Sequence, residues 1–130
     1  MIKTNLLDKY PVYSFSVAKN ETTFQSVDEI ITFFKAKIEA HPFAIYIAVF
    51  DHAAHTRSIE EHLIDPNLQE GKNLIFCFGK QLPNCKMLAV RPRSIGVSEF
   101  AESFSIDFME VPNEQLQVTV EGWVREIKNK

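Results

Sequence analysis

Eight consecutive apolar residues, Phe43 to Phe50, are bounded by Pro42 on one side and Asp51 on the other. The run is too short to cross a bilayer as a helix, which needs about 20 apolar residues. Its isoleucines, valine and aromatics favour extended backbone, and neither face is polar. A strand covered on both sides reads this way. It is therefore either central in a layered domain or covered by a second subunit. It empties directly into Asp51-His52-Ala53-Ala54-His55, so one buried element delivers an acid and two imidazoles to a single turn.

Around this run the chain carries signals of both kinds of secondary structure. Tyr13, Phe15 and Val17 alternate with serines, the pattern of a half-buried strand with Pro11 near its start. Ser26 and Glu29 have capping-box spacing, and Val27, Ile30, Ile31, Phe34 and Ile38 follow at helical intervals. Phe24 is placed to pack back on Ile30. Pro42 ends that helix, because it restricts His41 and donates no hydrogen bond. A short helix is expected over Arg57 to Ile64, with Ser58 as its cap. Asn73 to Phe78 and Lys86 to Val90 read as two strands of a hairpin, joined through Gly79, Pro83 and Asn84.

The last third offers two patterns. Phe104, Ile106 and Phe108 alternate with polar residues, and so do Leu116, Val118 and Val120 after Pro112. A helix over 113–128 is also available through Leu116, Val120, Trp123 and Ile127. Gly122 costs a helix about 1 kcal/mol, and the alternation favours a strand. The expectation is a β-hairpin followed by a short helix from Trp123 to Lys128. Consecutive strands pair antiparallel, so the class is α+β.

The chain of 130 residues is expected to form one domain, with enough length to bury a core without disulfides or metal staples. Its net charge of −3 and lack of a basic run disfavour nucleic acid as a partner. The first ten residues contain no apolar signal-peptide core. The 2 cysteines are too few for a disulfide framework, so a reducing, cytoplasmic compartment is expected. The 11 phenylalanines against 1 tryptophan call for burial, since Phe has no polar handle. Phe100, Phe104 and Phe108 are candidates for a small apolar pocket or a dimer face.

Several residue groups carry candidate chemistry. His52 and His55, three apart, can share a helix face and hold a divalent metal, with Asp51 beside them. The same residues can serve as general acids and bases near neutrality. The structural alternative is that Asp51 caps the turn and the imidazoles are solvated. Cys77 and Cys85 face each other if the expected hairpin is symmetric, which makes them a candidate redox pair. Arg91 and Arg93, flanking Pro92, are placed to clamp a carboxylate or phosphate. The alternative for them is an ordinary solvated strand end.

Asp51-His52-Ala53-Ala54 after a helix and a strand, Phe78-Gly79 at a second strand end, the spacing to Met87-Leu88 and a later hairpin after Pro92 together resemble DUF302, a small bacterial family of unknown function. The resemblance covers most of the chain after Phe24. It implies one DUF302-like domain over 1–130, with a β-α-β4-α fold like a TATA-binding-protein repeat. That fold is a single curved, mainly antiparallel sheet with helices on one face. It also implies a homodimer and supplies no reaction. The reading favoured is a homodimeric domain that binds a small molecule through Asp51, His52, His55, Arg91 or Arg93, with no cofactor and no membrane. A metal- or histidine-dependent enzyme using Asp51, His52 and His55 is the alternative. A purely structural interaction module is not separable from the first reading by sequence.

Overall fold

A computed structural model describes residues 1–130. The strands are β1 (Ile2–Leu6), β2 (Tyr10–Ala18), β3 (Ile45–Phe50), β4 (Glu70–Cys77), β5 (Arg93–Glu99) and β6 (Ser103–Met109). The α-helices are α1 (Val27–Ala40), α2 (His52–Ser58) and α3 (Glu114–Arg125), with short 3-10 turns at Lys19–Glu21 and Cys85–Ala89. The six strands form one open sheet in the order β1-β2-β6-β5-β4-β3, every neighbouring pair antiparallel. The class is α+β, as consecutive strands predict, and the sheet is single and curved. No helix is long and apolar enough to cross a membrane.

Helix α1 begins where Ser26 accepts a hydrogen bond from the Glu29 amide at 3.1 Å. The Glu29 carboxylate reaches back one residue further than a capping box requires and accepts from the Gln25 amide. Val27, Ile30, Ile31, Phe34 and Ile38 are buried on one stripe. Phe33 turns off that stripe and meets Phe24 with ring centroids 5.3 Å apart. From the sheet, Val17, Leu74, Phe76, Ile95, Val97, Phe104, Ile106 and Phe108 complete the core, and α3 adds Val120, Trp123 and Val124. Each fully buried aliphatic or phenyl side chain stabilises the fold by about 1.5–3 kcal/mol.

The opposite face of the sheet is mostly small and polar, with Val12, Ile75 and Met109 among its larger apolar residues. Along β4, Gly71 alternates with Leu74 and Phe76 and therefore points away from the core. A Cβ there would lie 3.5 Å from Leu68 and 3.8 Å from Ala53, so α2 and the following loop lie on this side. On β5 and β6 the same face presents Ser94, Gly96, Ser98, Ser105 and Asp107.

Several expectations are corrected. Residues 113–125 form a capped helix rather than a strand: Asn113 accepts from the Leu116 amide at 3.0 Å. Val118, which completes the apparent alternation, is 68% exposed, while Gln117, Val120, Trp123 and Val124 form the buried helical stripe. Gly122 lies on the open side, where a Cβ would meet nothing, so burial of the stripe outweighs its cost. The short helix runs over His52–Ser58 instead of 57–64, because Asp51 caps it by accepting from the Ala54 amide at 3.1 Å.

Lys86 to Val90 is not a strand. Asn84 caps a 3-10 turn there by accepting from the Lys86 amide, and Leu88 and Val90 stay exposed. The next strand in the chain to pair with β4 is β5. Strand β1, for which Ile2 to Leu6 gives no clear alternation, pairs with β2 at one sheet edge. At the other edge lies β3, paired only with β4, with Ile45 60% and Ile47 47% exposed. The doubly apolar run is therefore not central. Phe104 and Phe108 are core residues, and of the three late phenylalanines only Phe108 lines the larger cleft at the end of the sheet.

Candidate functional site

Two concavities flank the polar face of the sheet. The smaller, about 360 Å³, lies under α2 and includes His52, Thr56, Asp65, Lys72 and Asn73. Lys72, at its edge, is neutralised by carboxylates that lie outside the recess lining. Lys72 Nζ lies 2.7 Å from Asp28, 3.2 Å from Glu70 and 3.8 Å from Asp51. The hydrogen bond to Asp28, more than any other contact, raises the Lys72 ammonium above its ordinary value. Asp51 acts as the helix cap. The His52 ring nitrogen Nδ1 sits 3.3 Å from the Asn73 side-chain oxygen. Both imidazoles lean on Phe50, with ring centroids at 5.0 Å for His52 and 5.7 Å for His55. No group of three or more His, Cys, Asp or Glu side chains in the chain is placed to hold a metal ion.

The larger concavity is a cleft of about 890 Å³ that wraps the end of the sheet where β4 stops and β5 begins. Gly79 turns the chain out of β4 with φ +61°, a conformation in which a side chain would be strained. That turn sets Phe78 against the protein and Lys80 at the mouth. Phe43, Phe78, Met87, Val90, Phe108 and Leu116 supply apolar wall, while Ser94, Gly96 and Asp107 belong to the polar sheet face.

Behind the wall, His41 packs edge-on to Phe43 at 4.6 Å and to Phe78 at 5.2 Å. Its Nδ1 accepts from the amides of Phe43 and Ala44 at 3.4 and 3.3 Å. Burial lowers the His41 imidazole below its ordinary value, so the neutral ring is the favoured form. Trp123 stacks on Phe78 with centroids 6.1 Å apart, which couples the sole tryptophan to the cleft.

Three cations line the cleft. Arg93 donates to the carbonyls of Met109 and Glu110, the second at 3.1 Å. Arg91 donates to the Gln81 carbonyl. Lys80 Nζ stands 5.0 Å from the centre of the Phe43 ring. None of the eight ion pairs in the chain includes Lys80, Arg91 or Arg93. Burial lowers the Arg93 guanidinium from its ordinary value; the Cys77 sulfur opposes this and Arg91 reinforces it.

Of the residues expected to act, the structure separates Asp51, His52 and His55 from Arg91 and Arg93: the first three belong to α2 and its cap, the arginines to the cleft. Cys77, half-buried, ends β4 opposite Ile45 and lines the cleft. Cys85 is exposed in the 3-10 turn, so the two do not face each other across a hairpin. Lys80, Phe43 and Phe78 are cleft residues that motif reading passed over. Phe78-Gly79 at a strand end was the signal available for them.

The family model described as "Family of unknown function (DUF6858)" matches residues 1–129, and the chain belongs to that family. This corrects the resemblance to DUF302. The shared residues are punctuation that this topology needs anyway, namely Asp51 as a helix cap and Gly79 as a left-handed turn. Where DUF302 members have Asn-Pro after Phe-Gly, this chain has Lys80-Gln81. No curated protein matches the sequence.

Proposed function

We propose that the domain binds an amphipathic small molecule in the cleft between β4, β5 and α3, and does so as a homodimer. The observation that carries the ligand reading is the cleft itself. Its volume of about 890 Å³ falls within the range of small-molecule sites, and its lining combines aromatic and aliphatic side chains with charged and polar ones, as an amphipathic ligand requires. Nothing of comparable weight supports an enzyme built on Asp51, His52 and His55, since Asp51 is engaged as a cap and in the Lys72 network.

The dimer reading rests on β3. Exposed edge strands are ordinarily guarded by charge or proline. The other edge, β1, carries Lys3 and Asn5, but β3 reads Ile-Tyr-Ile-Ala-Val-Phe with no charge. A second copy pairing along β3 covers Ile45, Ile47 and Val49.

Fluorescence of the neutral dye N-phenyl-1-naphthylamine tests the ligand reading. One saturable site per chain is expected, lost in Ser94→Trp, which fills the cleft from its exposed floor. Undiminished binding in that variant moves the site elsewhere, and no binding by the wild type removes it. For the dimer, sedimentation velocity is expected to give a two-fold mass in the wild type and a monomer for Ile47→Lys.

A further inference from the structure

We infer that the cleft's ligand is a small carboxylate with an apolar body, held by Arg91, Arg93 and Lys80. This rests on the reading of the cleft as a ligand site and goes beyond it by assigning the charge and class of the molecule.

The acids and the cations of the cleft are treated differently. Glu110 receives the Lys3 ammonium at 2.8 Å and the Tyr13 hydroxyl at 3.2 Å. Lys3 is the main cause that holds its carboxyl below the ordinary value. Asp107 accepts from the hydroxyls of Ser14 at 2.5 Å and Ser105 at 3.0 Å. Both carboxylates are therefore provided for by the protein. The cations are not. Arg91 and Arg93 meet only neutral carbonyl oxygens, and Lys80 only an aromatic ring. A carbonyl positions a guanidinium but does not cancel its charge. Each guanidinium has five N–H donors, so capacity for a bidentate acceptor remains. Two like charges drawn together against partly desolvated surface are unfavourable alone, and a bound anion relieves them.

The surroundings select a carboxylate over a phosphate. Phosphate sites generally add free amides at a helix N-terminus or in a glycine-rich loop. The helix that opens on this cleft is α3, and the carboxylate in its first turn disfavours a multiply charged anion there. Asn113 accepts from the Leu116 amide, and Glu114 sits in the first turn. Phe43, Phe78 and Leu116 offer an apolar wall beside the cations, which suits an acyl or aryl body.

The test is displacement of N-phenyl-1-naphthylamine from the full chain by four ligands that share one tail: decanoate, decanol, decyl phosphate and decyltrimethylammonium. Decanoate is expected to bind about tenfold tighter than decanol, the factor set by one charge-assisted hydrogen-bonded contact. Arg91→Gln and Lys80→Gln are each expected to weaken decanoate while leaving decanol unchanged. These variants avoid Arg93, whose bonds to Met109 and Glu110 also brace the fold. Equal displacement by decanoate and decanol overturns the anion while leaving the cleft as a site. A preference for decyl phosphate overturns the carboxylate, and a preference for the ammonium compound reverses the sign. Failure of all four to displace a bound dye rejects this ligand class alone. Failure of the dye itself to bind removes the cleft reading together with the inference.

Discussion

The recess under α2 and the cleft at the end of the sheet lie on the same polar face and differ in how their charges are handled. At the edge of the recess, Lys72 faces three carboxylates, one of which, Asp51, also caps a helix. In the cleft, three cations have no carboxylate partner, while the two acids are held by serines, a tyrosine and a lysine. A charged concavity that satisfies itself stabilises the fold. One that leaves a single sign unmatched is set up for something from outside. The count of ionisable residues does not separate these cases, since both places are rich in them; the pairing does.

The largest expected effect sharpens the difference in what the two places are made of. Phe78 is nearly buried and touches Phe43, His41, Phe76 and Trp123, so Phe78→Ala is expected to destabilise the protein by about 3 kcal/mol in urea titration. Dye binding should fall with it.

Lys72→Met tests the recess. It leaves Asp28, Glu70 and Asp51 without their shared cation, and a loss of about 1 kcal/mol is expected, with dye affinity unchanged. A loss of dye binding would break the comparison by joining the two concavities.

A smaller effect belongs to His41. Its folded pKa lies below the ordinary 6.5, so the unfolded chain takes up the proton first as pH falls. The stability it contributes is complete above pH 6.5 and is lost as pH drops toward the lower folded value. Urea midpoints from pH 7.5 to 5.5 should decline in the wild type and stay flatter in His41→Gln. Equal slopes would separate His41 from the wall it backs.

The smallest effect is assigned to His52→Ala/His55→Ala, within about 0.5 kcal/mol of wild type. Zinc titrated into chelator-stripped protein should give no stoichiometric heat in either form. A one-to-one heat lost in the double variant would make the recess a metal site.

Local signals were legible where burial and pattern agree. The Ser26 cap with its stripe to Ile38 gives α1, and Phe104, Ile106 and Phe108 give β6. Misreadings arose where apolar residues are not buried. Val118 made a helix look like a strand, and Leu88 and Val90 made a 3-10 turn look like one. The run from Phe43 to Phe50 marks a strand correctly, but two apolar faces do not distinguish a central strand from an unguarded edge. The same limit applies to the site. Arg91 and Arg93 are visible as a pair, yet their lack of a counterion is set by where Glu110 and Asp107 find partners, and those partners include Lys3 and Ser14 more than 90 residues away. Such pairing is long-range and leaves no local motif.

The most direct test of the contrast is a titration of isotopically labelled protein with decanoate, followed by two-dimensional NMR of backbone amides and arginine side chains. An anion-holding cleft predicts saturable shifts at the Arg91 and Arg93 Nε–H groups and at the amides of Gly79 and Leu116, with Thr56, Leu63 and Leu68 of the recess unmoved. Shifts confined to the recess, or none at the arginines while the cleft amides move, would contradict it.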